Sequence, residues 1–231
     1  MHILYEDNHL IIVNKAPGEI TQGDKTGDRT LGDEVKDYIK KKYDKPGNVF
    51  LGLPHRLDRP TSGVVVLART SKALERLNAM FRNGKVRKIY HAIVPKVVSP
   101  LPGADRDGYA TLRHWLIRNE RQNKSYAYSR QVVGSKEAVL DYAIAGQSNN
   151  YTLLEVRLHT GRHHQIRCQL AAQGLVIKGD LKYGAPRSNP DGSICLHARR
   201  IVFEHPVSHQ MIDVVAPYPD TPLWRAFDVS T

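Results

Sequence analysis

The chain has 231 residues, 41% hydrophobic and 25% charged, figures that suit one globular domain burying about 70% of its unfolded surface without staples. A formal net charge of +11 points to a polyanionic partner, nucleic acid ahead of a membrane surface. Two cysteines, Cys168 and Cys195, argue against a disulfide framework and a cysteine-rich zinc site. No stretch approaches the roughly 18 apolar residues of a membrane span, and Met1–Asp7 carries no basic or apolar leader, so a reduced cytoplasmic protein is expected.

Leu10–Lys15 reads as a short apolar strand ending in a lysine and broken by Ala16-Pro17-Gly18. Residues 21–29 are a polar, glycine-bearing loop. Thr30 is the expected N-cap of a helix with Asp33 and Glu34 in its first turn and Leu31, Val35, Tyr38 and Ile39 on one face; Lys40, Lys41 and Lys42 close it. Residues 55–63, His-Arg-Leu-Asp-Arg-Pro-Thr-Ser-Gly, form a turn leading into the β-branched run 64–68, which predicts a strand buried on both faces. Ser71 is the expected cap of a second helix carrying Leu74, Leu77, Met80 and Phe81, ended by Asn83-Gly84.

Lys85, Arg87 and Lys88 precede a strand over 89–94, and residues 95–108 read as a loop. A basic strand-and-turn region follows, with Arg113, Arg118, Arg121, Lys124 and Arg130 interleaved with Trp115, Tyr126 and Tyr128. Residues 138–144 and 151–158 alternate as strands about a turn at 146–150. A helix starts near residues 160–167, with Ile166 and Leu170 inward and Gly174 as its stop. Short strands are expected at 194–196, 201–203 and 211–215, and Pro217, Pro219 and Pro222 end the pattern. The fold class is α+β, with a mixed, largely antiparallel sheet, in one domain over 1–231.

Three polar clusters abut predicted strands or a helix start, at 55–63, 85–91 and 160–167, where side chains are held more rigidly than on loop tips. Asp58 stands between Arg56 and Arg59 and is a candidate nucleophile or general base, or else one half of a surface ion pair. Its counter-charge is sought in Arg162 or Arg167. Tyr90 is placed to stack on a base or to act through its phenol, or is a core tyrosine. His163, His164 and Asp180 are a weak metal pattern, because adjacent helical histidines point apart. No phosphate-binding glycine loop and no nucleophile elbow around Ser62 is present.

Taken together, His55-Arg-Leu-Asp-x-x-Thr-Ser-Gly63, Lys88-x-Tyr90-x-Ala92 and Thr160-Gly-Arg-x-His-Gln-Ile-Arg167, followed by Gly179-Asp180 and Tyr183-Gly184, resemble the RluA family of RNA pseudouridine synthases. Tyr5-Glu-Asp-x-x-Leu-Ile-Ile-Val-Asn-Lys15, Leu196-His-Ala198 and Phe203-x-His-Pro206 extend the resemblance over roughly residues 3 to 217. It implies a mixed sheet with flanking helices, an RNA-binding cleft, and isomerisation of uridine in ribosomal or transfer RNA without metal, organic cofactor or obligatory protein partner. Asp58 would be the catalytic aspartate, Tyr90 the residue that packs on the uracil and accepts its C5 proton, and Arg167 the partner of Asp58. Arg56 would enter the RNA to hold the base out, with His55, Thr61, Arg162, His164 and Gln165 as further RNA contacts. Lys15-Ala-Pro-Gly18, Thr21-Gln22 and Cys168-Gln169-Leu170 depart from the family pattern at positions that bear on substrate contacts. Many relatives begin with a small S4 domain; this chain starts at the catalytic pattern, so RNA binding is expected of that domain itself or of a partner. The rival classes are a non-catalytic RNA-binding module, which has no use for an anion in its cleft, and a hydrolase, which would need an activated nucleophile or metal cluster.

Overall fold

The computed structural model describes residues 1–23, 27–97 and 101–227. Parts of the loops expected over 21–29 and 95–108 lie outside them. The chain divides into two compact units, one built from Met1–Val86 and Ala198–Pro217, the other from Arg87–His197 and the residues from Tyr218 onward.

In the first unit, β1 (His2–Glu6), β2 (Leu10–Lys15) and β3 (Ser62–Ala68) are joined by antiparallel pairing, Leu10 opposite Ala68. β10 (Met211–Val215) pairs antiparallel with β9 (Leu196–Glu204). Leu10, Ile12, Val64, Val66 and Ala68 pack with Ala73 and Leu77 of α2 (Ser71–Arg82) and with Ile201 and Phe203. The alternate residues Ile11, Val13, Val65 and Leu67 are just as buried, so both faces of these strands are covered and the apolar run is continuous. α1 (Leu31–Lys42) starts on a full capping box between Thr30 and Asp33, as the sequence predicts. α2 is capped one residue earlier than expected, by Thr70, whose Oγ1 accepts from the Ala73 N–H. Gly84 follows it at φ +67°.

In the second unit β4 (Arg87–Pro95), β8 (Tyr151–Leu158), β7 (Lys136–Gln147), β5 (Ala110–Asn119) and β6 (Lys124–Tyr128) lie side by side, each pair antiparallel. The turn expected at 146–150 is shorter than that. Gly146 and Gln147 still belong to β7, whose register shifts between Ile144 and Gly146. α3 (Gln165–Ala172) covers one face, with Cys168 against Leu116 and Ala138. The segment after α3 is tied to β4 by backbone: Lys178 N–H donates to Ile93 O, Ile93 N–H to Cys195 O, and Cys195 N–H to Lys178 O, at 2.9, 2.9 and 2.8 Å. Pro222 does not end the pattern; it opens the short helix α4 (Pro222–Arg225), where its missing N–H costs nothing. No helix among the described residues is long and apolar enough to cross a membrane.

Candidate active site

The Asp58 turn is held from below by Lys15. Lys15 follows Ile11 and Val13 in the strand alternation, so it points inward, and it is only 1% exposed. Its ammonium donates to the carbonyls of Ala16, Arg59 and Thr61 at 2.9, 3.1 and 2.6 Å. Three donors thus meet three backbone acceptors, two of them in the turn. Burial pulls the Lys15 pKa down to about 8, an effect opposed by the carboxylates of Glu19 and Asp58. Gly18 N–H donates to Arg59 O at 2.9 Å, Thr21 Oγ1 to Leu57 O at 3.3 Å, and Thr61 N–H to Asp58 O at 3.0 Å. The turn carrying Asp58 is therefore fixed through its main chain at residues 57, 58, 59 and 61.

His55 fixes the entry to this turn. Its Nε2 accepts from the Val66 N–H of β3 at 2.9 Å, and its ring stacks on Phe81 at 4.8 Å. Gly63 fixes the exit. It stands at φ +115°, and a Cβ there would lie 2.3 Å from Ala198 O. Close approach of two backbones, beyond the bend expected of it, requires glycine here. Thr61 is buried, whereas Arg56 is exposed and donates to Gln22 Oε1 at 3.3 Å. Arg59 pairs at the surface with Asp28 at 3.0 Å.

The other two clusters lie in the second unit. Tyr90 is buried on β4 opposite Val156 of β8. The 160–164 turn is pinned by Gln165: its Oε1 accepts from Thr160 Oγ1 and from the Arg162 N–H at 2.8 and 2.9 Å, and its Nε2 donates to Val139 O at 3.1 Å. His164 adopts the left-handed conformation at φ 52° as the N-cap of α3. It stands outside the helix, so the two histidines do not diverge as helical neighbours would; the rings of His163 and His164 stack at 3.8 Å. Among the described residues no group of three or more His, Cys, Asp or Glu side chains is placed to hold a metal.

Arg167 is 4% exposed and Asp180 1%. Arg167 Nε and Nη2 donate side-on to Asp180 Oδ2 and Oδ1 at 2.7 and 2.8 Å, the bidentate geometry that fixes a guanidinium plane. Nη1 lies 3.0 Å from His164 Nε2. An arginine only donates, so Nε2 accepts and the imidazole proton sits on Nδ1, which faces the Tyr183 hydroxyl at 3.1 Å. Tyr183 in turn donates to Ser125 O at 3.2 Å and accepts from Ser125 N–H at 2.9 Å. Burial pushes the Tyr183 phenol above its ordinary pKa, so it stays protonated. Its ring lies under the Arg167 guanidinium, 5.2 Å from the centroid. In the sequence Asp180 stands out as a motif letter and a weak metal candidate and Tyr183 as a motif letter; their work as the frame of Arg167 is not legible there. Asp180 is held by its own backbone, with Gly179 before it at φ +90° and a would-be Cβ 2.7 Å from Ser193 O.

Of the predicted site residues, the first unit holds His55, Arg56, Asp58 and Thr61, and the second holds Tyr90, Arg162, His164, Gln165 and Arg167. Thr61, His164 and Gln165 are buried, and the polar contacts above spend His55, His164 and Gln165 on protein atoms; Arg56 and Arg162 are exposed.

Residues 9–172, which include Asp58, Tyr90 and Arg167, match the family model described as RNA pseudouridylate synthase. An uncharacterized RNA pseudouridine synthase of Chlorobaculum parvum is 31% identical over 240 residues, covering 94% of this chain and 71% of that protein. The ribosomal large subunit pseudouridine synthase D of Zymomonas mobilis is 30% identical over 233 residues, covering 95% and 69%. Several other relatives are matched over 66% of their length, so the chain spans about two thirds of the curated proteins it resembles. The fold is similar to that of the solved human RNA pseudouridylate synthase domain containing 4, with a TM-score of 0.74 at 24% identity over 95% of this chain and 89% of that one.

Proposed function

We infer the function from membership: the chain belongs to the RNA pseudouridine synthase family, whose members isomerise uridine within RNA to pseudouridine. The observation that carries the reading is that one family match encloses all three candidate catalytic residues. We propose a structured RNA as substrate, ribosomal RNA before transfer RNA because relatives are named for the large ribosomal subunit, and a cytoplasmic setting. The reaction breaks N1–C1′, turns the uracil and joins C5 to C1′. Every atom and electron is conserved, so no oxidant, reductant or group donor is required.

In this proposal Asp58 supplies the carboxylate that acts on C1′, on the base or on the sugar, and its turn is rigid because Lys15 anchors the main chain. Tyr90 packs on the uracil and accepts the C5 proton. Arg167 is the counter-charge of Asp58. Asp180 and His164 fix the plane of its guanidinium, so its charge is presented in one orientation. Arg56 and Arg162 meet the RNA, and Arg56 helps offset the few kcal/mol of base extrusion. His55, Thr61, His164 and Gln165 serve by positioning. The test is Asp58→Asn: pseudouridine in the target transcript is expected to vanish while RNA affinity stays within a few fold. Normal pseudouridine formation by that variant would overturn the assignment.

A further inference from the structure

A cavity of about 400 Å³ opens in the second unit between the β5–β6 hairpin and the turn at 161–163. Its volume lies within the usual range for ligand sites. Arg118, Lys136, Arg162 and His163 line it together with Ser125 and Gly161, and no acidic residue does. The adjacent acid, Glu137, is drawn into an ion pair with Arg113. Arg162 is clamped at its inner end, Nε donating to Glu137 O at 2.9 Å, which leaves both terminal nitrogens for a ligand. Among the described residues the Arg118 side chain makes one long contact, to Asn123 at 3.5 Å, and the Lys136 side chain makes no hydrogen bond or ion pair. A fourth cation stands behind Gly161: Lys88 Nζ would lie 3.6 Å from a Cβ placed there. Lys88 is largely buried and has no carboxylate partner among the described residues, and burial lowers its pKa. Cations gathered around an open volume without counter-charge repel one another, an arrangement that an anion relieves.

We propose that this cavity binds a backbone phosphate of the RNA substrate. The proposal rests on the RNA-modifying reading above and adds a second point of attachment to it. Two arginines and a lysine match a phosphodiester, which offers two acceptor oxygens to a guanidinium fork. Such contacts set register and affinity and do not take part in bond making.

Arg118 and Lys136 are exposed and lie outside the catalytic machinery, so Arg118→Gln/Lys136→Gln is the informative variant. Binding of a short RNA hairpin is measured over a salt series, and pseudouridine formation in single turnover at saturating RNA. The dissociation constant should rise about tenfold at roughly 0.1 M salt, and the slope of log affinity against log salt should fall by about 1 to 2. The saturating rate should stay within about twofold, and Arg118→Lys/Lys136→Arg should restore binding. An unchanged affinity and slope overturns the site, as does a lower saturating rate at unchanged affinity. Inorganic phosphate should displace the hairpin from the native chain at lower concentration than from the double variant. Phosphate binding that depends on Arg118 and Lys136 without any effect on RNA affinity marks a site for free phosphate and overturns the RNA assignment. If the native chain modifies no RNA and yet the slope loss is seen, the catalytic reading falls and the phosphate site stands.

Discussion

Replacing Asp180 by Asn tests the frame around Arg167 most directly. The substitution keeps the shape of the side chain but removes the charge and sets an amide N–H₂ against either Nε or Nη2 of Arg167, where oxygens now accept at 2.7 and 2.8 Å. The pair is almost fully buried, so water cannot replace the lost acceptor. Leaving one partner of a buried ion pair uncompensated costs about 3–5 kcal/mol. That is a large part of the roughly 5–15 kcal/mol that holds a domain folded. With a urea dependence of about 2–3 kcal/mol per molar, the unfolding midpoint should fall by at least about 1 M. Arg167→Met/Asp180→Leu should lose less than the two single changes added together, by about 2 kcal/mol, because an apolar pair leaves neither charge stranded. The double variant should nonetheless make no pseudouridine at temperatures where it is folded. A midpoint for Asp180→Asn within about 0.3 M of the native value would refute the buried bidentate pair as a source of stability.

Lys15→Met should cost about 2 to 3 kcal/mol, since it strands the buried carbonyl of Thr61 and the part-buried carbonyls of Ala16 and Arg59, and should lower the saturating rate through a loosened Asp58 turn; a native melting temperature would count against this anchoring. Gly63→Ala should prevent folding or cost about 3 kcal/mol or more, with a Cβ 2.3 Å from Ala198 O, while Gly84→Ala, with nothing within 4 Å, should cost about 1 kcal/mol; equal melting temperatures would contradict the close approach. Glu155 is held down to about 2 by His91 at 3.8 Å and by hydrogen bonds from Tyr109 and Arg157, so its stabilisation is whole above the unfolded pKa near 4.5 and is lost as pH falls toward 2. Its side chain is 24% exposed, which discounts the gain to about 2 kcal/mol, and the stability gap between native and Glu155→Gln should shrink by about 1.5 kcal/mol between pH 6 and pH 2.5; a gap constant with pH would refute it.

The elements that the sequence made legible are those whose cause is local. The Thr30–Asp33 capping box, the left-handed Gly84 and the two-sided burial of β3 each follow from neighbouring residues. β1 was missed because His2–Glu6 is only half buried and exists as a strand through its pairing with β2. Lys15 read as the polar end of a strand, although its alternation with Ile11 and Val13 already placed it on a buried face. For Arg167 the sequence suggested one carboxylate, and a different one, Asp180, holds its side edge. Nothing within a helical turn of Arg167 indicates this, because the contact is made by a loop that returns after α3. The left-handed His164 was likewise hidden, since the conformation usually signals itself by glycine or asparagine.

The cations of this chain fall into two groups with different physics. Lys15 and Arg167 are buried, Lys15 held by three carbonyls and Arg167 clamped by Asp180 and His164, so their side-chain entropy is lost on folding and little remains to be lost when substrate arrives. Arg56, Arg118, Lys136 and Arg162 are exposed and lightly tethered, and their attraction for an RNA chain is screened by salt. In the proposed mechanism the preorganised groups hold the site in which bonds change, where a small displacement is expensive, whereas the exposed ones would act on phosphates, where reach and number matter more than angle. Substitutions in the first group should therefore move stability and saturating rate together and leave the salt slope alone. Substitutions in the second should move the salt slope and affinity and leave the melting temperature alone. That separation also explains how a chain with a net charge of +11 keeps a stable core: most of its positive charge lies at the surface, and the buried Lys15 and Arg167 are paired with backbone carbonyls and a carboxylate.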